Sequence, residues 1–262
     1  MDLGLQGKVA IVTGSSDGIG YTTAHALARE GTRVVLCARR EARLVEARDK
    51  LVRETGAEAL AVQCDVRKID DVRRLVNDTL RRFGAIHILV NNAGTVPAIK
   101  FTDIDDTHWY EILERKLMGY LRVTREVVPH MQKTGWGRIV NIAGTAGLEP
   151  SNTGMAVGIS NAAVINWTKS MSLQYAADGI LVTTVAPSSI DTPRQVGNRQ
   201  REAQVTGKSI EEIRQAREKN VPLHRLGKPR EVANVVVFLA SECSSYMTGT
   251  CVTVDGGVTR GI

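Results

Sequence analysis

At 262 residues and 43% hydrophobic, the chain holds enough apolar mass for one large α/β domain with a substantial core. No apolar run approaches membrane-spanning length, and the opening Met-Asp-Leu-Gly-Leu-Gln-Gly-Lys lacks the charged-then-apolar layout of a signal peptide, so no membrane is expected and the expected compartment is the cytoplasm. A net charge of +6 would suit nucleic acid, but the basic residues are scattered in pairs such as Arg73-Arg74 among acids, and aromatics at 4% leave no platform for stacking on bases, so no nucleic-acid partner is expected.

The first organised stretch is residues 8–30. Val9–Val12 is an apolar run of the kind buried on both faces of a sheet, and from Ala24 to Leu27 the pattern turns helical, with Gly31 as a stop. Between them Gly14, Gly18 and Gly20 are spaced Gly-x-x-x-Gly-x-Gly, with Ser16, Asp17 and Ile19 in the same turn. Glycines there permit a tight turn and a close backbone approach to a phosphate, and the helix N-terminus then faces a dinucleotide's diphosphate.

Thr32–Cys37 reads as the second strand. About 18 to 20 residues beyond the last glycine, a site preferring NAD would place an acid on the adenosine ribose. Ala38, Arg39 and Arg40 stand there instead. Arg39 can pair with a 2′-phosphate, which favours NADP(H) and leaves NAD(H) second; the bland alternative is a surface arginine at a strand end. The four cysteines, Cys37, Cys64, Cys243 and Cys251, show no metal-ligand spacing, so buried free thiols and no metal are expected. A helix over Glu41–Glu54, a strand over Ala59–Gln63, an amphipathic helix over Asp70–Phe83 and a strand over Ile86–Val90 follow. Three βα units in succession imply a parallel sheet with right-handed crossovers.

Thr-Gly-x-x-x-Gly-Ile-Gly at 13–20, Asp65-Val66 and Asn91-Asn92-Ala93-Gly94 together resemble the short-chain dehydrogenase/reductase family. The resemblance continues through Trp109–Met131 (the long interface helix), Gly137–Ile142 (the fifth strand) and Val185-Ala186-Pro187 with Ile190-Asp191-Thr192 (the sixth strand and nicotinamide loop). It ends in the pattern from Arg225-Leu226-Gly227 to Asp255-Gly256-Gly257. It implies a single doubly wound Rossmann-type domain over 1–262, of about seven parallel strands. It also implies a cofactor site on Gly14, Ser16, Asp17, Gly18, Ile19, Gly20, Arg39, Asp65, Val66, Asn92, Ala93, Gly94, Pro187, Ile190 and Thr192. Asp17 is a departure, since members preferring NADP often carry a base near that position. A small-molecule substrate, a substrate lid at about 193–225, and a homotetramer or homodimer built on helices near 108–132 and 157–176 are implied as well.

The family's chemistry uses a tyrosine as proton donor, a lysine four residues later that lowers the phenol's pKa, a serine after the fifth strand and an asparagine on the interface helix. The matching positions here hold Val157, Asn161, Gly144 and Lys116. Valine has no proton to give and glycine no side-chain hydrogen bond. Thr145 and Lys116 are the local substitutes to weigh: Thr145 reads more simply as a loop residue, and Lys116 either as a cation or acid in the site or as a tether to backbone carbonyls. The charged segment 195–220 would suit an anionic substrate, or be merely solvated. The functions left open are an oxidoreductase with a non-standard site, a cofactor-binding pseudoenzyme, and a non-redox lyase or isomerase.

Overall fold

The structure, a computed structural model, describes residues 1–94, 101–150 and 154–261. The apolar runs become seven strands: β1 (Val9–Thr13), β2 (Arg33–Ala38), β3 (Ala59–Gln63), β4 (Ile88–Asn91), β5 (Gly137–Ile142), β6 (Ile180–Pro187) and β7 (Cys251–Val254). They form one sheet in the order β3-β2-β1-β4-β5-β6-β7, and every pairing is parallel. The order reverses between β1 and β4, which opens a crevice at the carboxyl ends of these strands. This is the doubly wound Rossmann-type domain of seven parallel strands expected from the sequence.

Helices α1 (Gly18–Arg29), α2 (Glu41–Thr55) and α3 (Ile69–Phe83) follow the first three strands. Alternation along β1 sends Ala10 and Val12 to one face, where they join Leu27 of α1, Leu44 and Leu51 of α2 and Val236 of α9 (Pro229–Leu239). Val9 and Ile11 point the other way, to Val72 and Leu75 of α3 and Val127 and Met131 of α5 (Gly119–Thr134). Each fully buried leucine contributes about 1.5–3 kcal/mol, so the two layers of core hold the sheet's edge geometry firmly.

Two segments differ from a simple helical reading. The helix expected over Trp109–Met131 carries a bulge: α4 (Asp106–Leu113) passes into a π turn over Glu114–Met118 before α5 begins. An extra residue in a turn re-aims its side chains, and Lys116 is one of them. The charged segment is two helices, α7 (Pro193–Thr206) and α8 (Ile210–Lys219). Gly207 at φ 71° ends the first, and a capping box between Ser209 and Glu212 starts the second. Cys37 and Cys64 are buried as expected, whereas Cys243 is exposed on a 3-10 turn and Cys251, on the edge strand β7, is only partly covered.

A buried polar chain crosses the sheet into α6 (Met155–Tyr175). Asn91 Nδ2 donates to Asn141 Oδ1 at 2.9 Å, Asn141 Nδ2 to Thr168 Oγ1 at 2.9 Å, and Thr184 Oγ1 to Thr168 Oγ1 at 2.8 Å. It fixes α6 against β4, β5 and β6 next to the crevice.

Candidate functional site

The crevice is a cleft of about 630 Å³. Its two ends are built differently. At one end the β1–α1 turn closes on itself. A Cβ on Gly20 would collide with the carbonyl oxygen of Gly14 and lie 2.5 Å from Asn92 Nδ2, while Gly14 sits at φ 65° with Ala93 Cα 2.9 Å from where its Cβ would be. Only glycine fits either place. Asn92 braces the turn by donating to Thr13 O at 3.0 Å and Gly14 O at 3.1 Å, and the Thr13 hydroxyl accepts from the N–H groups of Asn92 and Ala93. Asp17 is the N-cap of α1, yet its side chain makes no capping bond. The first N–H groups of α1 are therefore left for an anion, which fits a dinucleotide diphosphate.

Further along this end, Arg39 is exposed at the cleft's rim, its backbone oxygen held by Gln63 Nε2 at 3.0 Å. The acid of the glycine loop is not left unmatched: Arg43 lies 3.5 Å from Asp17. Asp65 is gripped by Arg67 through Nε and Nη2, at 2.6 Å for the shorter bond, and these bonds hold its carboxyl below the usual carboxylate range. Val66 and Ile19 add apolar wall.

Away from the glycine turn the cleft is lined by Lys116, Gly144, Val157 and Asn161, together with Gly94, Pro187 and Ile190, while Thr192 lies against Gly18. Every cofactor position expected from the sequence lines the cleft; Thr145 does not. Thr145 begins a 3-10 turn and its carbonyl accepts from Leu148 and Glu149. Ser160 is likewise spent, its hydroxyl donating to Val157 O at 3.0 Å. Gly144 lies under Asn161: a Cβ there would be 3.3 Å from both Asn161 Nδ2 and Pro187 O. Asn161 is 2% exposed and its Oδ1 has no hydrogen-bond partner among the described residues, an orphaned acceptor beside the cleft. Thr192 caps α7, accepting from Gln195 N at 3.3 Å.

Lys116 is 8% exposed. The backbone of its π turn lies against Gly94, and its ammonium lies 5.9 Å from the centroid of the Tyr120 ring, whose hydroxyl donates to Ile142 O. Among the described residues no hydrogen bond or ion pair reaches that ammonium, so the tether to helix carbonyls is not formed. Burial, and then the nearby charge of Arg194, bring its pKa down to about 8. Sequence reasoning missed several lining residues: Arg115 on the π turn, Ser188 and Ser189 after β6, and Arg194, Gln195 and Asn198 on α7. The signal for α7 was its start, Thr192-Pro193, an N-cap followed by proline at the first helical position. Nothing among the described residues groups three or more potential metal ligands, and no helix among them is long and apolar enough to cross a membrane.

A family model described as enoyl-(acyl carrier protein) reductase matches residues 14–259. A 3-oxoacyl-(acyl-carrier-protein) reductase of Aquifex aeolicus is 34% identical over 98% of this chain and 100% of its own length. Dehydrogenase/reductase SDR family member 4 of Oryctolagus cuniculus is 37% identical over 97% of this chain and 94% of its own. The solved structure of an L-sorbose reductase from Gluconobacter frateurii, complexed with NADPH and L-sorbose, superposes with a TM-score of 0.97 at 33% identity, covering 100% of both chains. With a glycine turn that only glycine can build, a parallel sheet in this order and relatives matched over nearly their full length, the chain belongs to the short-chain dehydrogenase/reductase family.

Proposed function

We propose that this protein is an NADP(H)-binding oxidoreductase for a small carbonyl or alcohol substrate, in which the family's asparagine, serine, tyrosine and lysine positions are taken by Lys116, Gly144, Val157 and Asn161. One observation carries the reading: these four residues meet at one end of a cleft whose other end suits a dinucleotide. The glycine turn and the start of α1 hold the diphosphate, Arg39 the 2′-phosphate, and Pro187, Ile190 and Thr192 the nicotinamide end. The ion pair between Asp17 and Arg43 removes much of the repulsion that a loop acid would exert on a phosphate. The NADPH held by the sorbose reductase, 33% identical over the full chain, supports the same choice.

Bound there, the nicotinamide would supply or take up the two electrons and the hydrogen that interconvert a carbonyl and an alcohol. The protein's own share is reduced. Val157 has no proton to place on the substrate oxygen, Gly144 offers that oxygen no hydroxyl, and Asn161 is a neutral amide. General acid help is worth about 10²–10⁴-fold and an oriented donor roughly 10²–10³. Simple ketones therefore react slowly, and Thr145, outside the cleft, does not restore the loss. Helices α7 and α8 form the substrate lid. The exposed apolar side chains Tyr110 on α4 and Met155, Ile159 and Leu173 on α6 support a homotetramer or homodimer through these helices. The cytoplasm is the proposed compartment.

Calorimetric titration with NADPH and NADH, followed by a turnover panel of neutral ketones and alcohols, tests the reading. NADPH is expected to bind more tightly, with neutral ketones reduced slowly. Failure to bind either nucleotide overturns it, and fast reduction of simple ketones refutes the depleted site. Binding with no turnover of any compound points to a pseudoenzyme, and substrate loss with no change in cofactor absorbance to a lyase or isomerase.

A further inference from the structure

Lys116 stands out among the charged side chains of the cleft. A buried ammonium is costly unless an acceptor or a counter-charge faces it. Among the described residues its surroundings supply no hydrogen-bond acceptor or carboxylate, only the Tyr120 ring at 5.9 Å. Arg115, on the same π turn, is already paired with Glu111. From α7, Arg194 faces it with like charge. α5 contributes the Tyr120 ring, whose hydroxyl is spent on Ile142 O. α6, packed against the π turn, offers the neutral Val157 and Asn161. The acid nearest the lid side, Asp191, is bound by Arg199 at 2.6 Å. The acids lining the cleft, Asp17 and Asp65, lie at the far end, each facing its own arginine. A positive group in a walled cleft, with no counter-charge among the described residues, is complemented by an anion arriving with the ligand.

We infer that Lys116 docks a carboxylate on the substrate, so that the cleft takes a compact oxo acid or hydroxy acid in preference to a neutral ketone or alcohol. A carboxylate supplies the negative charge that the Lys116 ammonium lacks among the described residues. Gly144 and Val157 leave the space beside Asn161 unoccupied by any hydroxyl, and Asn161, with Nδ2 on the Gly144 side, lines that space. The assignment names the substrate class of the proposed oxidoreductase and rests on that reading for the cofactor-loaded cleft. Lys116 is a binding residue in it, and the protein gains selectivity for charge at the end where it has lost proton donors.

The test is calorimetric binding to protein saturated with NADP⁺, using pyruvate, its neutral isostere pyruvamide, and inorganic phosphate as probes. At pH 7 pyruvate is expected to bind about tenfold to a hundredfold more tightly than pyruvamide, the range of a charge-assisted hydrogen bond. Lys116→Met should erase the difference and Lys116→Arg retain part of it. Because the ammonium loses its proton near pH 8, wild-type affinity for pyruvate should fall about tenfold per unit above that pH, and binding at pH 9 should take up close to one proton, read from buffers of different ionisation heat. Equal affinity for pyruvate and pyruvamide, tighter binding of phosphate, or binding of neither probe overturns the inference on wild-type protein alone, whatever the fate of the variants. A Lys116→Met protein that loses NADP⁺ affinity but keeps its preference for pyruvate also overturns it, since the ammonium then serves the cofactor. NADP⁺ binding without a carboxylate preference sinks the inference and leaves the proposed function standing; carboxylate preference without any redox turnover does the reverse.

Discussion

The two ends of the cleft are held by the same sheet, yet they obey different constraints. At the glycine turn, Gly14 and Gly20 have backbone or a bracing amide where a side chain would begin, and Asn92 spends its amide on holding the turn shut. A change there damages the fold as well as the ligand site. At the opposite end Gly144, Val157 and Asn161 touch one another and the cleft, but the sheet and α6 are fixed independently by the chain from Asn91 to Thr184. The backbone there is held by bonds that none of these residues makes. The binding half of such a site is thus tied to folding, and the reacting half is free to be rewritten.

The strongest way to break this contrast is to rewrite the reacting end. Restoring Asn, Ser, Tyr and Lys together, by Lys116→Asn, Gly144→Ser, Val157→Tyr and Asn161→Lys, should raise NADPH-dependent reduction of simple ketones by about 10²–10⁴-fold. Val157→Tyr alone should give almost nothing, because its phenol keeps a pKa near 10 and groups that act as a unit are not additive. A fourfold variant that folds and binds NADPH yet stays inert would mean that the lid also departs from what carbonyl reduction needs.

Lys116 sharpens the comparison from the side of stability. Its pKa falls from 10.5 to about 8 on folding, so the folded state disfavours the charged form. That cost is present in full below pH 8, shrinks between pH 8 and 10.5 where the unfolded chain binds more protons, and is gone above. Lys116→Met should therefore stabilise the ligand-free protein by about 3 kcal/mol at pH 7, the gain vanishing near pH 10.5 in urea titrations. A variant no more stable than wild type would show that the ammonium is better solvated than its position implies.

If the scaffold is fixed by the polar chain, cutting that chain should be costly even though it does not line the cleft. Asn141→Leu removes two buried bonds, leaving Asn91 its bond to Thr124 and Thr168 its bonds to Val164 O and Thr184, and should lower stability by about 2 kcal/mol while leaving NADPH affinity nearly unchanged. The smallest expected effect is at the rim. Arg39→Ala should reduce the preference for NADPH over NADPH's unphosphorylated counterpart by about tenfold, through loss of one charge-assisted contact, with no effect on stability. Equal wild-type affinity for the two nucleotides would remove Arg39 from the site.

Much of the fold was legible because strand and glycine signals are local. The run Val9–Val12, the spacing of Gly14, Gly18 and Gly20, and the strands Ala59–Gln63 and Gly137–Ile142 depend on side-chain type at fixed offsets, and the observed elements start and stop there or within a residue. Residues 116, 144, 157 and 161 were legible as positions, and they do line one cleft. Other features required packing to decide. The turn that carries Lys116 is π rather than α, and from sequence Trp109–Met131 reads as unbroken, since no proline or glycine marks the change before Gly119. Which charge acts on Lys116 depends on burial and on Arg194 reaching it from α7, a meeting of segments that no periodicity encodes. The same holds for Arg43, which offsets Asp17 from a separate helix. The sequence by itself determined the sheet, the glycine turn and the family, because backbone geometry and hydrophobic period are set by neighbours in the chain. Only the tertiary structure decided which charges in the cleft are compensated, because electrostatic energy depends on distance and burial, and both are fixed by residues far apart in sequence.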